Sequence, residues 1–282
     1  MLTGRLPQRF GLNGVLFPDS HSGMPSSEYT IAELLKDNGY NTGIIGKWHL
    51  GHKYEYLPLQ QGFDSFFGIP YSNDMASTVY FRGNEVVDHF PDQSLMTKKL
   101  TEESIKFIES NSENKFYLYL AHPMPHVPIY ASEDFIGSSE RGLYGDVIQE
   151  LDWSVGKIIE KLRQKNLLDN TMIIFSSDNG PWLTMKDMGG SPGNLRNGKM
   201  YTFEGGMRVP TLAMLNGVIP PGTISNEITS QLDWFPTLAS LTNSKIPDDL
   251  ILDGINIEGL FNGQNLNYER DYLYFCLLYT SD

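Results

Sequence analysis

Apolar positions along the chain recur with two periods. Thr30-Ile-Ala-Glu33 has the pattern of a capping box, Leu34 and Leu35 follow, and Gly39 closes the segment, which predicts a short helix. Tyr40-Asn-Thr-Gly-Ile-Ile45, ending at Gly46, predicts a short buried strand. Thr78–Phe81 and Glu85–Val87, split by Arg82-Gly83-Asn84, predict a hairpin. Thr101–Ser110 has helical spacing with Ile105 and Ile108 inward, and Lys115–Ala121 predicts a strand. Tyr144, Val147, Ile148, Leu151, Val155, Ile158, Ile159 and Leu162 form one stripe at a period near 3.6, the pattern of a long amphipathic helix. Thr171–Phe175 predicts another buried strand, glycines punctuate a long loop over 180–206, Arg208–Leu215 predicts a strand and Leu232–Thr242 a helix. Helices alternating with apolar strands predict an α/β fold, its mostly parallel sheet covered on both faces. Ligands in such sheets bind beyond the carboxyl ends of the strands.

Three polar clusters fall at predicted strand ends. Lys47-Trp48-His49 follows the first strand, His122 follows KFYLYLA, and Asp178-Asn179 follows TMIIF. In extended backbone Lys47 and His49 point to one side, where both face a single anion; the alternative is a solvated lysine and a surface histidine. His122-Pro-Met-Pro-His126-Val-Pro128 holds two imidazoles in a proline-stiffened loop. Either serves as a general acid near neutral pH, as a hydrogen-bonding group in a rigid exit loop, or as a transition-metal ligand, although no third His or Cys is near in sequence. Asp178-Asn179-Gly-Pro offers only oxygen ligands, which suit Ca²⁺ or Mg²⁺, and is equally a good turn. Lys199 arrives in a glycine-rich loop as a second cation, and Glu204 and Arg208 are spaced to pair with each other.

Composition narrows the partners. The 282 residues carry 21 Lys+Arg against 34 Asp+Glu, a net charge of −13, and 40% are hydrophobic, an ordinary globular balance. An acidic chain without a basic block is a poor nucleic-acid binder. One Cys excludes an internal disulfide, and no apolar run reaches the length of a membrane span. The segment from Met1 has no signal-peptide pattern and begins as if inside a loop or helix end. No Asn-x-Ser/Thr sequon occurs.

Together these motifs resemble the sulfatase family, nearest its arylsulfatase A-like branch. The resemblance rests on Gly39–Gly51 (GYNTGIIGKWHLG), on Gln61–Asp64 and Gly68–Asp74, and on HPMPHVP, SSDNGP and GK-x-x-x-FEGG-x-R-VP in the family's order, covering roughly residues 1–275. It implies an alkaline-phosphatase-like fold, with a catalytic domain over 1–250 and the start of a smaller C-terminal subdomain over 251–282. It also implies release of sulfate from an aryl, glycan or lipid sulfate ester. Lys47, Ser72, His122 and Lys199 would bind the substrate, with Lys47, His49, His122 and Lys199 catalytic and His126 at the rim. Asp178 and Asn179, beside Lys47 and Lys199, would supply half of a Ca²⁺ site. The family's nucleophile is a formylglycine made from a C/S-x-P-S-R signature, and Met1-Leu-Thr-Gly-Arg5 resembles that signature's tail. The nucleophile, the signature arginine and two further Asp ligands would then lie upstream of Met1, leaving this chain inactive alone. Cys276 and Met24-Pro-Ser-Ser27 do not replace the signature, and 276–282 depart from the family pattern. The family implies an exported protein. A phosphonate or phosphate ester hydrolase of the same superfamily and a non-catalytic anion-binding relative are the alternative readings.

Overall fold

The computed structural model describes residues 1–75, 78–89, 91–262, 270 and 273. Helix α1 (Ile31–Asp37) starts at the expected box: Thr30 Oγ1 accepts from the Glu33 amide at 3.1 Å, and the Thr30 amide donates to Glu33 Oε2 at 2.7 Å. Strands β1 (Asn41–Lys47), β2 (Ser65–Ile69), β3 (Tyr80–Arg82), β4 (Glu85–Asp88) and β5 (Phe116–Ala121) form one sheet in the order β4-β3-β2-β1-β5. β1 runs parallel to both β2 and β5, whereas β2–β3 and β3–β4 are antiparallel. The sheet is mixed, and its parallel part is the three strands β2-β1-β5 along one side.

Alternation along the strands makes two cores. Ile44, Phe66, Tyr117 and Tyr119 face α1 and α5 (Trp234–Leu241), meeting Ile31, Leu34 and Phe235. Ile45, Phe67, Leu118 and Leu120 face α2 (Met96–Ser110) and α3 (Gly142–Gln164), meeting Met96, Leu100, Val147 and Leu151. Helices therefore cover both faces, as the alternating pattern predicts.

β6 (Ile173–Ser176) differs from expectation. Its apolar run predicts a strand of the main sheet, but it pairs antiparallel with β7 (Thr211–Met214) in a separate two-stranded sheet. Phe175 and Leu212, cross-strand partners there, are 40% and 68% exposed. The long loop between these strands contains a one-turn helix, α4 (Glu204–Met207), where Arg208 and Glu204 pair at 3.5 Å as their spacing predicts.

α3 buries more than its apolar stripe. Asp146, Glu150 and Ser154, spaced by four, are all buried, whereas Ile148 is 41% exposed. The first two hold the segment after β5: Asp146 accepts from the Gly137 and Ser139 amides at 2.9 and 2.8 Å, and Glu150 from the Ser132 amide at 2.8 Å.

The first residues are tied to residues beyond 250. Leu2 sits in the core with Phe235, Asp253 takes two bonds from Arg9 at 2.6 and 2.7 Å, and the Leu6 amide donates to the same carboxylate at 2.7 Å. Residues on either side of position 250 pack on this same core, and 274–282, including Cys276, lie outside the described residues. Among the described residues no helix is long and apolar enough to cross a membrane.

Candidate active site

The site lies where β1, β2 and β5 end together. Gly46, with φ +116°, sits between Gly68 and Ala121, and a Cβ there would come within 1.9 Å of the Ala121 carbonyl oxygen, so only glycine allows this approach. Lys47 is the last residue of β1. The backbone then turns, and His49 is left-handed at φ +57°. Extended geometry therefore does not carry Lys47 and His49 to one side. His49 instead sits edge-on to Tyr71, 5.5 Å between ring centres, and its Nε2 donates to the Leu16 carbonyl at 2.8 Å. The carbonyl only accepts, so Nε2 carries the proton.

The two histidines after β5 do not sit where the sequence suggests. His122 is half-buried and packs between the sheet and the two helices, its Nδ1 shielded from solvent. Its Nε2 lies 3.1 Å from Ser154 Oγ, Ser154 lies 2.6 Å from Thr101 Oγ1, and Thr101 donates to the Thr97 carbonyl at 2.7 Å. The terminal carbonyl sets the direction: His122 donates to Ser154, and Ser154 to Thr101. Burial pushes the His122 pKa down to about 4, so the ring is neutral. These bonds join β5, α2 and α3.

His126 occupies the place predicted for His122. Its Nδ1 is 3.3 Å from Ser72 Oγ and 3.9 Å from Asp74 Oδ1, and it donates to the Val127 carbonyl at 2.7 Å. Burial lowers its pKa, and the nearby charges of Lys199 and then Lys47 lower it further. With Nδ1 carrying the proton, the neutral ring has its lone pair on Nε2, which is buried and has no partner among the described residues. Prolines between the two histidines turn the chain out of the strand, so His126 reaches the site while His122 remains in the packing beneath. Asn73 fixes this arrangement, donating to the Pro128 carbonyl and to Gln93 Oε1, both at 3.0 Å.

The second cation comes from the glycine-rich loop. Lys199 is buried, its amide donates to the Pro181 carbonyl at 2.8 Å, and its Nζ lies 4.9 Å from the centre of the Trp182 ring. Trp182 lies 5.7 Å from His126, so one indole is neighbour to both. The sequence gives Trp182 no polar signature; an aromatic directly after Asp-Asn-Gly-Pro and inside the Lys199 loop is the only signal available. An apolar cavity of about 180 Å³, lined by Tyr71, Ser72, His52 and Met75, opens next to Ser72. A wider cleft of about 740 Å³ lies at the opposite end of β1, around Asn41, Asp64 and Ser65, where Arg82, Glu103 and Lys106 pair among themselves.

Asp178 and Asn179 follow β6. The Asp178 carboxylate accepts from the Asn179 amide at 2.9 Å, and the Gly180 amide donates to the Gly206 carbonyl at 2.9 Å, which seats this turn against the Lys199 loop. Burial, and then the charge of Asp178, push the Tyr119 hydroxyl up to about 12. Two oxygen donors suit Ca²⁺ in kind but not in number, since calcium takes six to eight. Among the described residues no group of three or more His, Cys, Asp or Glu is placed to hold a metal. The described residues do not by themselves fit the ion. The 282 residues also contain no C/S-x-P-S-R signature for a formylglycine.

The family model described as Sulfatase matches residues 1–244. The chain belongs to the sulfatase family. It is 38% identical to the N-acetylgalactosamine-6-sulfatase of Mus musculus, covering 91% of this chain and 55% of that protein. It is 37% identical to arylsulfatase A of Bos taurus, covering 100% of this chain and 61% of that one. Among solved structures, a sulfatase from Pseudoalteromonas sp. superposes at a TM-score of 0.88 with 28% identity, over 99% of this chain and 64% of that one. The fold is thus that of sulfatases, alkaline-phosphatase-like, and this sulfatase chain spans a little over half the length of the curated relatives it matches.

Proposed function

We propose that the chain carries the sulfate-binding and leaving-group side of a sulfuric ester hydrolase acting on a sulfated sugar. The observation that carries this is His126, placed against Ser72 and within the fields of Lys47 and Lys199. Two lysines beside a strand-end pocket stabilise the oxygens of a sulfate group, whose charge grows on the leaving oxygen as the ester breaks. The Ser72 hydroxyl adds a neutral hydrogen bond. His126 is neutral before substrate arrives, because burial and the lysines oppose a further positive charge. A bound anion offsets those lysine fields, raises the His126 pKa and lets Nε2 take up the proton it delivers to the leaving alcohol. His49, beside Tyr71, is left to assist release of sulfate. His122 bonds inward and has no role in the reaction. Asp178 and Asn179 contribute oxygen ligands only as part of a larger set. The sugar assignment is supported by the name of the N-acetylgalactosamine-6-sulfatase relative. An exported setting, the family expectation, is checked by fractionating cells that express the natural gene.

Calorimetric titration of the chain with inorganic sulfate, alongside NMR of His126, tests this reading. Saturable binding that raises the His126 pKa is expected, and absence of sulfate binding overturns it. Turnover of 4-nitrophenyl sulfate against 4-nitrophenyl phosphate by the natural gene product separates the two ester classes.

A further inference from the structure

The loop that supplies Lys199 differs in charge from the rest of the molecule. Residues 180–208 carry Lys186, Arg196, Lys199 and Arg208 against Asp187 and Glu204, a net of +2 in a chain of −13. Arg208 is paired with Glu204. Arg196 is exposed, and its guanidinium stacks 3.7 Å from the centre of the Phe203 ring, with no carboxylate partner among the described residues. Stacking holds the guanidinium plane and leaves its N–H edge for a ligand, the arrangement that favours bidentate binding of a carboxylate or sulfate. Arg196 is three residues from Lys199, so their Cα atoms are within about 11 Å. The same loop exposes aromatic surface: Tyr201 is 51% and Phe203 39% exposed, and Trp182 is only half-buried beside Lys199.

We propose that this loop forms a second anion subsite, centred on Arg196, for a further acidic group on a sulfated glycan chain. The proposal rests on the reading of Lys47, Lys199 and His126 as the sulfate pocket and extends that pocket to the neighbouring sugar. The aromatic faces of Trp182 and Tyr201 suit the C–H face of a pyranose, and Arg196 suits the carboxylate or sulfate of the next residue. A simple aryl sulfate carries no second acid for Arg196. The subsite would therefore make the enzyme select a polyanionic oligosaccharide over a monosaccharide ester.

Calorimetry on the chain with inorganic sulfate, galactose 6-sulfate and a chondroitin 6-sulfate tetrasaccharide tests the proposal. The tetrasaccharide is expected to bind at least tenfold more tightly than galactose 6-sulfate. Arg196→Ala should remove that advantage and leave inorganic sulfate unchanged, and Arg196→Lys should restore part of it. Because Arg196 is exposed, the variants should melt like the parent. Equal affinity for mono- and tetrasaccharide in the parent overturns the proposal. So does an advantage that survives Arg196→Ala, equal weakening of all three ligands by Arg196→Ala, or equal competition from a single-stranded oligonucleotide of the same charge. Loss of sulfate binding in the parent, with an Arg196-dependent tetrasaccharide advantage intact, would sink the pocket reading and keep this one; no binding of any ligand sinks both.

Discussion

The sheet side and the loop side of the site are built differently. Lys47, Ser72 and His126 stand on strands and turns whose neighbours are fully buried, such as Ile44, Met96 and Leu100, all at 0% exposure. Lys199, Trp182 and Arg196 stand on a glycine-rich loop between β6 and β7, where Leu212 is 68% exposed. The first side is held by packing on two faces. The second is held largely by backbone bonds such as Lys199 to Pro181 and Gly205 to Arg196, both at 2.8 Å. A histidine that shares protons at fixed distance needs the first kind of support. A cation and aromatic surface that meet sugars of varied shape tolerate the second, and loops on rigid scaffolds commonly take that task.

The sharpest test of this contrast is stability. Leu100→Ala, in the α2 core, should cost about 2–5 kcal/mol in urea unfolding, as large-to-small changes in packed cores do. A cost under about 1 kcal/mol would deny that the sheet side is the rigid one. Acidification probes the same core next. The His122 pKa falls from an ordinary value near 6.5 in the unfolded chain to about 4 when folded. The unfolded chain thus binds the extra proton, so the stabilisation is present above pH about 6.5 and is lost as pH falls towards 4, by up to about 3 kcal/mol. His122→Gln should flatten that slope in unfolding curves across the window; an unchanged slope would remove His122 as its source. Binding follows. Lys199→Ala should weaken inorganic sulfate at least tenfold, or about 1.4 kcal/mol, with Lys47→Ala similar. If only Lys47→Ala weakens it, the loop takes no part in the pocket. The smallest effect is expected at Leu212→Ala, within about 0.5 kcal/mol, because so exposed a side chain loses little burial.

The same contrast explains what was legible in the sequence. Periodicity located α1, α2 and α3 because each buries one face against the sheet, and β1 and β5 read as short apolar runs because both of their faces are covered. The pattern misplaces β6: TMIIF has the composition of a strand buried in the main sheet, yet among the described residues it pairs only with β7. The polar row Asp146, Glu150 and Ser154 was hidden because attention to apolar spacing passes over polar residues on the same face. The fourfold spacing was there to be read. In sequence, His122 reads as the site residue because it directly follows the strand. That position is also why it is drawn inward, since the first residue past β5 is still under α2 and α3, and the chain leaves the core only through the prolines. Trp182 and Arg196 leave no periodic trace, since loop residues follow no period.

The Arg9–Asp253 clasp also bears on how the molecule is made. Its partners are separated by 244 residues, so it closes late in synthesis. At roughly 5–20 residues per second, the first segment waits about 12–50 s for its carboxylate. Over that interval Leu2 has no Phe235 to cover it, while the parallel part of the sheet has all its strands by residue 121. Leu2 and Arg9 therefore find these partners only after residues 235 and 253 have been made. A chain arrested before residue 253 would present them, with Leu2 uncovered, to any chaperone that holds apolar segments.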